Sequence, residues 1–276
     1  MTEATTVDDL PAMDDPIWVE AATIEEFRTK GHACVRSLCR PDEVDAYRPV
    51  IHEATLEHAW DQRPLEERDT YGKAFLQATN LWRRAPRIAG FSLAKRFGKV
   101  AADLLGVEGV RIYHDQALFK EAGGGATPWH QDQHYWPLDT ESTITMWMPL
   151  VDVPPEVGSM TFASGSHRLG YLGNYPISDE SEAAFRTMID ERGLALETYG
   201  AMAAGDTTWH AGWMLHSAAP NPTGNLRAVM TVIYFADGTR VSPEPTEGQQ
   251  LDLSIWLKGC EPGELAAGHR LPLVWP

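Results

Sequence analysis

Two textures divide the chain. Up to about residue 105, apolar side chains recur at helical spacing; beyond it they come in short or alternating runs broken by glycine, proline and aspartate. Thr23-Ile24-Glu25-Glu26-Phe27 reads as a helix start, a small polar residue followed by acidic residues that suit the free N–H groups of a first turn. Pro41-Asp42-Glu43-Val44 opens a second helical run toward Trp60, with proline where no N–H is needed. Between them, His32-Ala33-Cys34-Val35 predicts a short strand. Phe91, Leu93, Ala94, Phe97, Val100, Ala101 and Leu104 recur along one helix face, which predicts a third helix over 88–105, stopped by Gly106.

The later runs, 111–120, 142–151, 159–163, 206–209 and 228–235, predict strands. Strands in that number, with long-range turns around a buried site, predict a mainly β fold with outer helices (α+β), a double-stranded β-helix or cupin-like jelly-roll barrel. No Gly-x-Gly-x-x-Gly opens a helix, which argues against a dinucleotide-binding sheet. Residues 1–16 carry Glu3, Asp8, Asp9, Asp14 and Asp15 among small residues and two prolines, predicting a mobile acidic tail, and 17–276 then form a single domain. Within it, the polar, helix-compatible stretch 177–192 interrupts the strands and reads either as a lid or as a helix that merely covers the barrel.

Composition narrows the partners. Of 276 residues, 43% are hydrophobic and 22% charged, ordinary for a globular chain with a sizeable core. A net charge of −16 repels polyanions at long range, counting against nucleic acid and against substrates carried on coenzyme A. No stretch approaches the roughly 18 apolar residues of a membrane helix, and Met1-Thr2-Glu3-Ala4 lacks a basic region before an apolar run, so the expected compartment is the cytoplasm. Cys34, Cys39 and Cys260 are too few and too unevenly spaced for a disulfide framework and form no Cys-x-x-Cys pair, so reduced thiols are expected.

The chemistry-bearing residues sit in the strand-rich half. In His130-Gln131-Asp132, positions i and i+2 of a strand face the same way and can hold one metal ion if 129–133 are extended. Such a pair alone is also a common hydrogen-bonded surface arrangement. A third ligand must come from elsewhere, and His216 in the apolar stretch Trp213-Met214-Leu215-His216 is the candidate, with His210 as its competitor. Two imidazoles and one carboxylate on one side of an octahedron leave the other side open, which suits Fe(II) enzymes that bind a cosubstrate and O₂. Arg227 follows His216 by eleven positions and enters a strand, where it needs an anion: an internal carboxylate, or a dicarboxylic cosubstrate in its two-pronged grip. His167 reads as a turn residue, and His114 either lines the pocket or sits satisfied on its strand.

On these residues the chain resembles the phytanoyl-CoA dioxygenase family of Fe(II)/2-oxoglutarate oxygenases. The matching stretches are Thr127-Pro128-Trp129-His130-Gln131-Asp132, Glu156-Val157-Gly158-Ser159-Met160 running into Gly165-Ser166-His167, Gly205-Asp206, and His216 with Arg227. The likeness extends over 23–276, through Pro262-Gly263 to Pro272-Leu273-Val274-Trp275. It implies that His130, Asp132 and His216 bind Fe(II) and are catalytic, and that Arg227 pairs with the distal carboxylate of 2-oxoglutarate. Trp147 stands where the family often has an aromatic residue beside the cosubstrate, although a core tryptophan fits that position equally. With O₂ as second substrate, the implied activity is oxidation of a C–H bond.

Gln133-His134-Tyr135-Trp136, directly after Asp132, are the candidate substrate-binding residues, and their aromatics suit a ring-bearing small molecule in a secondary-metabolite tailoring reaction of the antibiotic-biosynthesis kind. An acyl-CoA or lipid hydroxylase is the alternative within the family. From other classes come a non-catalytic jelly-roll binding protein that keeps the metal pocket, and a zinc hydrolase or isomerase that needs no 2-oxoglutarate.

Overall fold

Alternation of apolar and polar side chains becomes, in the computed structural model, a pair of antiparallel sheets whose facing sides enclose a cavity. Residues 10–157 and 159–276 are described. In chain order the elements are α1 (Ala21–Lys30), β1 (His32–Val35), α2 (Pro41–His58), β2 (Leu76–Thr79), the single turns α3 (Leu81–Arg84) and α4 (Ala89–Ser92), then α5 (Lys95–Leu105) and β3 (Val110–Phe119). There follow β4 (Thr127–His130), β5 (Thr143–Pro149), β6 (Met160–Ala163), α6 (Asp179–Arg192), β7 (Leu196–Glu197), β8 (Thr207–Ala211), β9 (His216–Ala218), β10 (Val229–Ala236), α7 (Glu247–Ile255) and β11 (Leu273–Trp275).

The larger sheet runs β1-β8-β5-β10-β3-β11 with β2 also paired to β3, and the smaller runs β4-β9-β6-β7. Among the described residues no strand pairing joins the two, so the jelly roll is an open pair of sheets rather than a closed barrel. Period two sorts the larger sheet's side chains. Ile144, Met146 and Met148 on β5, Trp209 on β8 and Met230, Val232 and Tyr234 on β10 face outward into a core shared with α2 and α5. Thr145, Trp147, His210 and Thr231, from the same strands, line the cavity.

β3 would lose this order without its bulge. Ile233 pairs with His114 but Tyr234 pairs with Ile112, so Tyr113 is an extra residue that shifts the parity. Val110 and Ile112 before it, and Ala117 and Phe119 after it, therefore all reach the outer core. His114, Gln116 and Leu118 all line the cavity.

The outer helices are tied down by polar contacts as well as apolar ones. Arg96 of α5 grips the fully buried Glu43 of α2 at 2.7 and 3.0 Å. Burial alone would raise the Glu43 carboxyl, but Arg96 and Arg40 together outweigh it and hold the group below its usual range. Gly31 ends α1 at φ 82, and a side chain there would collide with His167.

Two sequence expectations change. The helix expected over 88–105 is broken at Leu93-Ala94, where Ala94 turns extended, and only 95–105 continue as α5. The buried carboxylate of Asp115 collects the N–H groups of Leu81 and Trp82 and the hydroxyl of Ser92, pinning the turns before the break to β3. The tail expected over 1–16 does not run free to its end. Residues 1–9 lie outside the described residues, while Met13 is buried, its carbonyl accepts from Arg96 N–H at 3.1 Å, and Pro11 accepts from the Tyr47 hydroxyl at 3.0 Å.

Candidate metal centre and its cavity

His130 ends β4 and His216 begins β9, and the two residues are paired across that ladder. Their rings lie 4.1 Å apart between centroids. The extended backbone lasts only through Gln131; Asp132 starts a 3₁₀ turn, Asp132–His134, that swings its carboxylate back toward the two imidazoles. Oδ1 of Asp132 then stands 3.5 Å from His130 Nε2 and 3.7 Å from His216 Nε2. These three residues are a group able to hold a metal ion, with all donor atoms within 4.8 Å of one another.

Backbone carbonyls fix the tautomers. His130 Nδ1 lies 2.7 Å from Pro128 O, and His216 Nδ1 lies 2.9 Å from Met214 O. A carbonyl can only accept, so each Nδ1 carries the proton and each Nε2 presents a bare lone pair to the centre. Burial, with His130 and His210 adding to it, holds His216 well below its ordinary range, so the imidazole is neutral as a ligand must be. Burial would raise the Asp132 carboxyl, but hydrogen bonding to His210 helps to hold the group well below its usual range.

The second oxygen of Asp132 has its own holders. Thr145 donates its hydroxyl to Oδ2 at 2.9 Å, and His210 Nε2 lies 3.2 Å from the same atom. Among the described residues His210 Nδ1 has no hydrogen-bond partner, which puts the ring proton on Nε2 as donor. His210, the competitor for third ligand, is therefore a brace behind Asp132. Thr145 and His210 are direct neighbours on β5 and β8, so the larger sheet sets the carboxylate's angle while the smaller sheet supplies the imidazoles.

Beside this centre lies Arg227, 1% exposed, its guanidinium 5.6 Å from the Trp147 ring centroid and 5.7 Å from that of Phe75. Trp147, left open as cosubstrate neighbour or core residue, occupies both positions: it lines the cavity at Arg227 and packs with Met160 and Val229. Lys120 bonds backbone to backbone with Arg227 in both directions at 3.0 Å, and its ammonium lies 4.8 Å from the Phe75 ring. Burial, and secondarily Arg227, lowers Lys120 to about 7, and burial lowers Arg227 to about 9. The Lys120 amine itself donates to the carbonyl of Gly125.

The cavity measures about 420 Å³ and joins the centre to Arg227. Tyr135 and Trp136 line it as expected from their position, but Gln133 and His134 do not. The 3₁₀ turn rotates both away: Gln133 bridges Thr140 O and the Thr143 hydroxyl, and His134 packs on Tyr135 and Tyr171. His114 lines the wall, and burial lowers it to about 4. Gln131, between the two ligands, faces away and fastens the carbonyls of Gly170 and Trp213 at 2.9 and 2.7 Å. His167 sits in the turn Ser166–Leu169 and is not among the residues that line the cavity.

Sequence reasoning missed the brace of Thr145 and His210, the proximity of Lys120 to Arg227, and the contribution of α7. That helix closes one side of the cavity with Leu251, Asp252, Ile255 and the adjoining Trp256. The Thr246-x-x-Gln249 capping box, realised with Thr246 accepting from Gln249 N–H, was the available signal for it.

Comparison with known proteins agrees with this geometry. A model of the family described as phytanoyl-CoA dioxygenase (PhyH) matches residues 27–229. A curated protein of Stutzerimonas stutzeri, a probable alpha-ketoglutarate-dependent hypophosphite dioxygenase, is 27% identical over 135 residues, which are 47% of this chain and 46% of that protein. The chain's match thus spans about half the length of that relative. Among solved structures, the non-haem alpha-ketoglutarate-dependent carbocyclase SnoK from nogalamycin biosynthesis superposes with a TM-score of 0.73 at 22% identity, covering 96% of this chain and 98% of that one. The epimerase SnoN, in complex with Fe³⁺, alpha-ketoglutarate and nogalamycin RO, gives 0.74 at 23% identity over 92% and 97%. EctD from S. alaskensis, with 2-oxoglutarate and 5-hydroxyectoine, gives 0.65 at 19% over 84% and 83%. These likenesses establish a shared fold.

Proposed function

This chain belongs to the phytanoyl-CoA dioxygenase family, and on that premise we propose that it is an Fe(II)- and 2-oxoglutarate-dependent oxygenase acting on a C–H bond of a ring-bearing small molecule. The observation that carries the reading is the convergence of two bare Nε2 atoms and one carboxylate oxygen beside a buried arginine. Neutral imidazoles and an ionised carboxylate fit a divalent iron, and three ligands on one side leave room for a chelating keto acid. When bound, the iron and its keto acid supply the power to activate O₂, with succinate and CO₂ as coproducts.

The chain's own residues would then divide the work. His130, Asp132 and His216 hold the metal. Arg227, stacked against Trp147 and Phe75, takes the distal carboxylate of 2-oxoglutarate in its two-pronged guanidinium. Trp147 and Phe75 keep water from that carboxylate, which strengthens the pair.

Substrate class is supported by the cavity wall. It is aromatic over much of its area, through Trp60, Tyr71, Tyr135, Trp136 and Trp256, and Arg227 is its one Lys or Arg among the described residues. A coenzyme A thioester would bring several phosphates to a cavity lined, among the described residues, by no Lys or Arg besides Arg227, on a chain of net charge −16. A free polycyclic or aryl molecule meets stacking surfaces instead, and tailoring of a secondary metabolite is the reaction class proposed. The test is substrate-dependent succinate formation, with Fe(II) and O₂ supplied, from acyl-CoAs and from polycyclic natural products in parallel. Turnover of the polycyclic set is expected; efficient turnover of acyl-CoAs alone would return the enzyme to lipid metabolism, and no iron-dependent succinate with any substrate would contradict the oxygenase reading.

A further inference from the structure

Away from the triad the cavity holds a second carboxylate, Asp252, which the assignment above leaves unused. It comes from α7, and its polar partners are the Tyr113 hydroxyl, which donates to Oδ2 at 2.9 Å, and Trp256. The β3 bulge matters here, because the extra residue it accommodates is this same Tyr113. Among the described residues the Asp252 carboxylate has no ion pair. Burial pushes it up to about 7, with Tyr113 and Trp256 only partly offsetting that rise. Around it the wall is aromatic: Trp60 and Trp256 meet edge to face at 6.4 Å, and Trp256 lies 4.9 Å from the His114 ring.

A lone carboxylate in an aromatic pocket is costly when empty and well suited to one ligand class. Organic ammonium groups gain from a counter-ion and from the negative faces of tryptophan and tyrosine rings together. Among the described residues no cation pairs with Asp252: His114 is held neutral, Arg227 stands with Trp147 and Phe75, and Arg84 lies 6.0 Å from the Trp60 ring without an ion pair to the carboxylate. An alcohol could donate a hydrogen bond to Asp252 but would leave the charge uncompensated.

We infer that Asp252, walled by Trp60 and Trp256, binds a protonated amine of the ligand that occupies this cavity, so that the substrate is a basic, ring-bearing molecule. The inference rests on the oxygenase reading only in taking that ligand to be the substrate. Binding can be measured without metal or cosubstrate, so the two can fail separately.

The experiment is a tryptophan-fluorescence titration of the metal-free chain with 2-naphthylmethylamine and with its neutral counterpart 2-naphthylmethanol. It is run at about pH 8.5, above the titration of Asp252 and below that of an alkylamine. Tyr113 and Tyr135, which burial raises, and His114, which burial lowers, are all neutral there. The amine should bind about tenfold or more tightly than the alcohol. Asp252→Asn, which keeps size and hydrogen bonding, should bring the two within about twofold of each other. Failure of the amine to bind ahead of the alcohol in the wild-type chain, or an undiminished amine preference in Asp252→Asn with native circular dichroism, would overturn the inference.

Discussion

The two oxygens of Asp132 face different company. Oδ1 looks to the imidazoles of His130 and His216, whereas Oδ2 is held by Thr145 and His210. Removing a holder should loosen the carboxylate without removing a donor, so Thr145→Val and His210→Gln should each weaken metal binding by about 10- to 100-fold. Anaerobic calorimetry with Mn(II) as the probe reads this directly, and unchanged affinity in both variants would contradict the brace. His130→Ala, Asp132→Ala and His216→Ala each delete a donor and should abolish turnover while leaving the fold intact by circular dichroism; full activity in any one would remove that residue from the ligand set. At Arg227, lysine keeps the charge and loses the fork, so Arg227→Lys should raise the KM for 2-oxoglutarate about tenfold or more with less change in the KM for substrate. An unchanged cosubstrate KM would place the clamp elsewhere.

At the scale of elements, α6 turns the loose question of a covering segment into a packing problem. Ser178 caps the helix, Glu182 accepts from the backbone N–H of Trp129 at 2.9 Å, and Phe185 and Ile189 join a cluster with Trp129 and Leu215. Phe185→Ala should therefore cost about 3 to 5 kcal/mol of stability. A denaturant titration checks it, and a loss below about 1 kcal/mol would mean that the helix is only loosely seated. The elements themselves were largely readable. The strands around 111–120, 142–151 and 228–235 announce themselves by alternation, whereas the quartet of His130, Asp132, His216 and Arg227 was legible through the family resemblance. What was hidden depends on partners distant in sequence. Nothing local reveals that Asp115 pins Ser92 and the turns before Leu93 to β3, that an extra Tyr113 resets the parity of β3, or that the turn at Asp132 sends Gln133 and His134 away from the cavity. His210 and His216 look alike in sequence; only the ladders separate them, one joining β5 behind the carboxylate and the other joining β4 beside His130.

The whole molecule carries its titration in buried groups. His32 and His114 are lowered to about 4, both chiefly by burial. Such a histidine binds its proton in the unfolded chain first, so between about pH 6.5 and 4 each makes stability fall as pH falls. Asp115 and Asp252 act in the opposite sense, since burial raises them to about 6 and about 7 and their contribution is lost as pH rises through those values. Replacing one histidine should isolate its share: His114→Gln should lessen the stability lost between about pH 7 and 5 by on the order of 1 to 2 kcal/mol. Denaturant midpoints for both chains across that range decide it, and parallel profiles would show that His114 is not buried neutral. Among the described residues no helix is long and apolar enough to cross a membrane.

The central claim, that two sheets bring His130, Asp132, His216 and Arg227 together to hold Fe(II) and 2-oxoglutarate at once, is tested most directly by anaerobic absorption titration of the Fe(II)-loaded protein with 2-oxoglutarate. A weak visible metal-to-ligand charge-transfer band is expected that saturates at about one cosubstrate per chain, is lost in Asp132→Ala and needs more 2-oxoglutarate in Arg227→Lys. Wild-type protein that binds Fe(II) yet develops no band would contradict it.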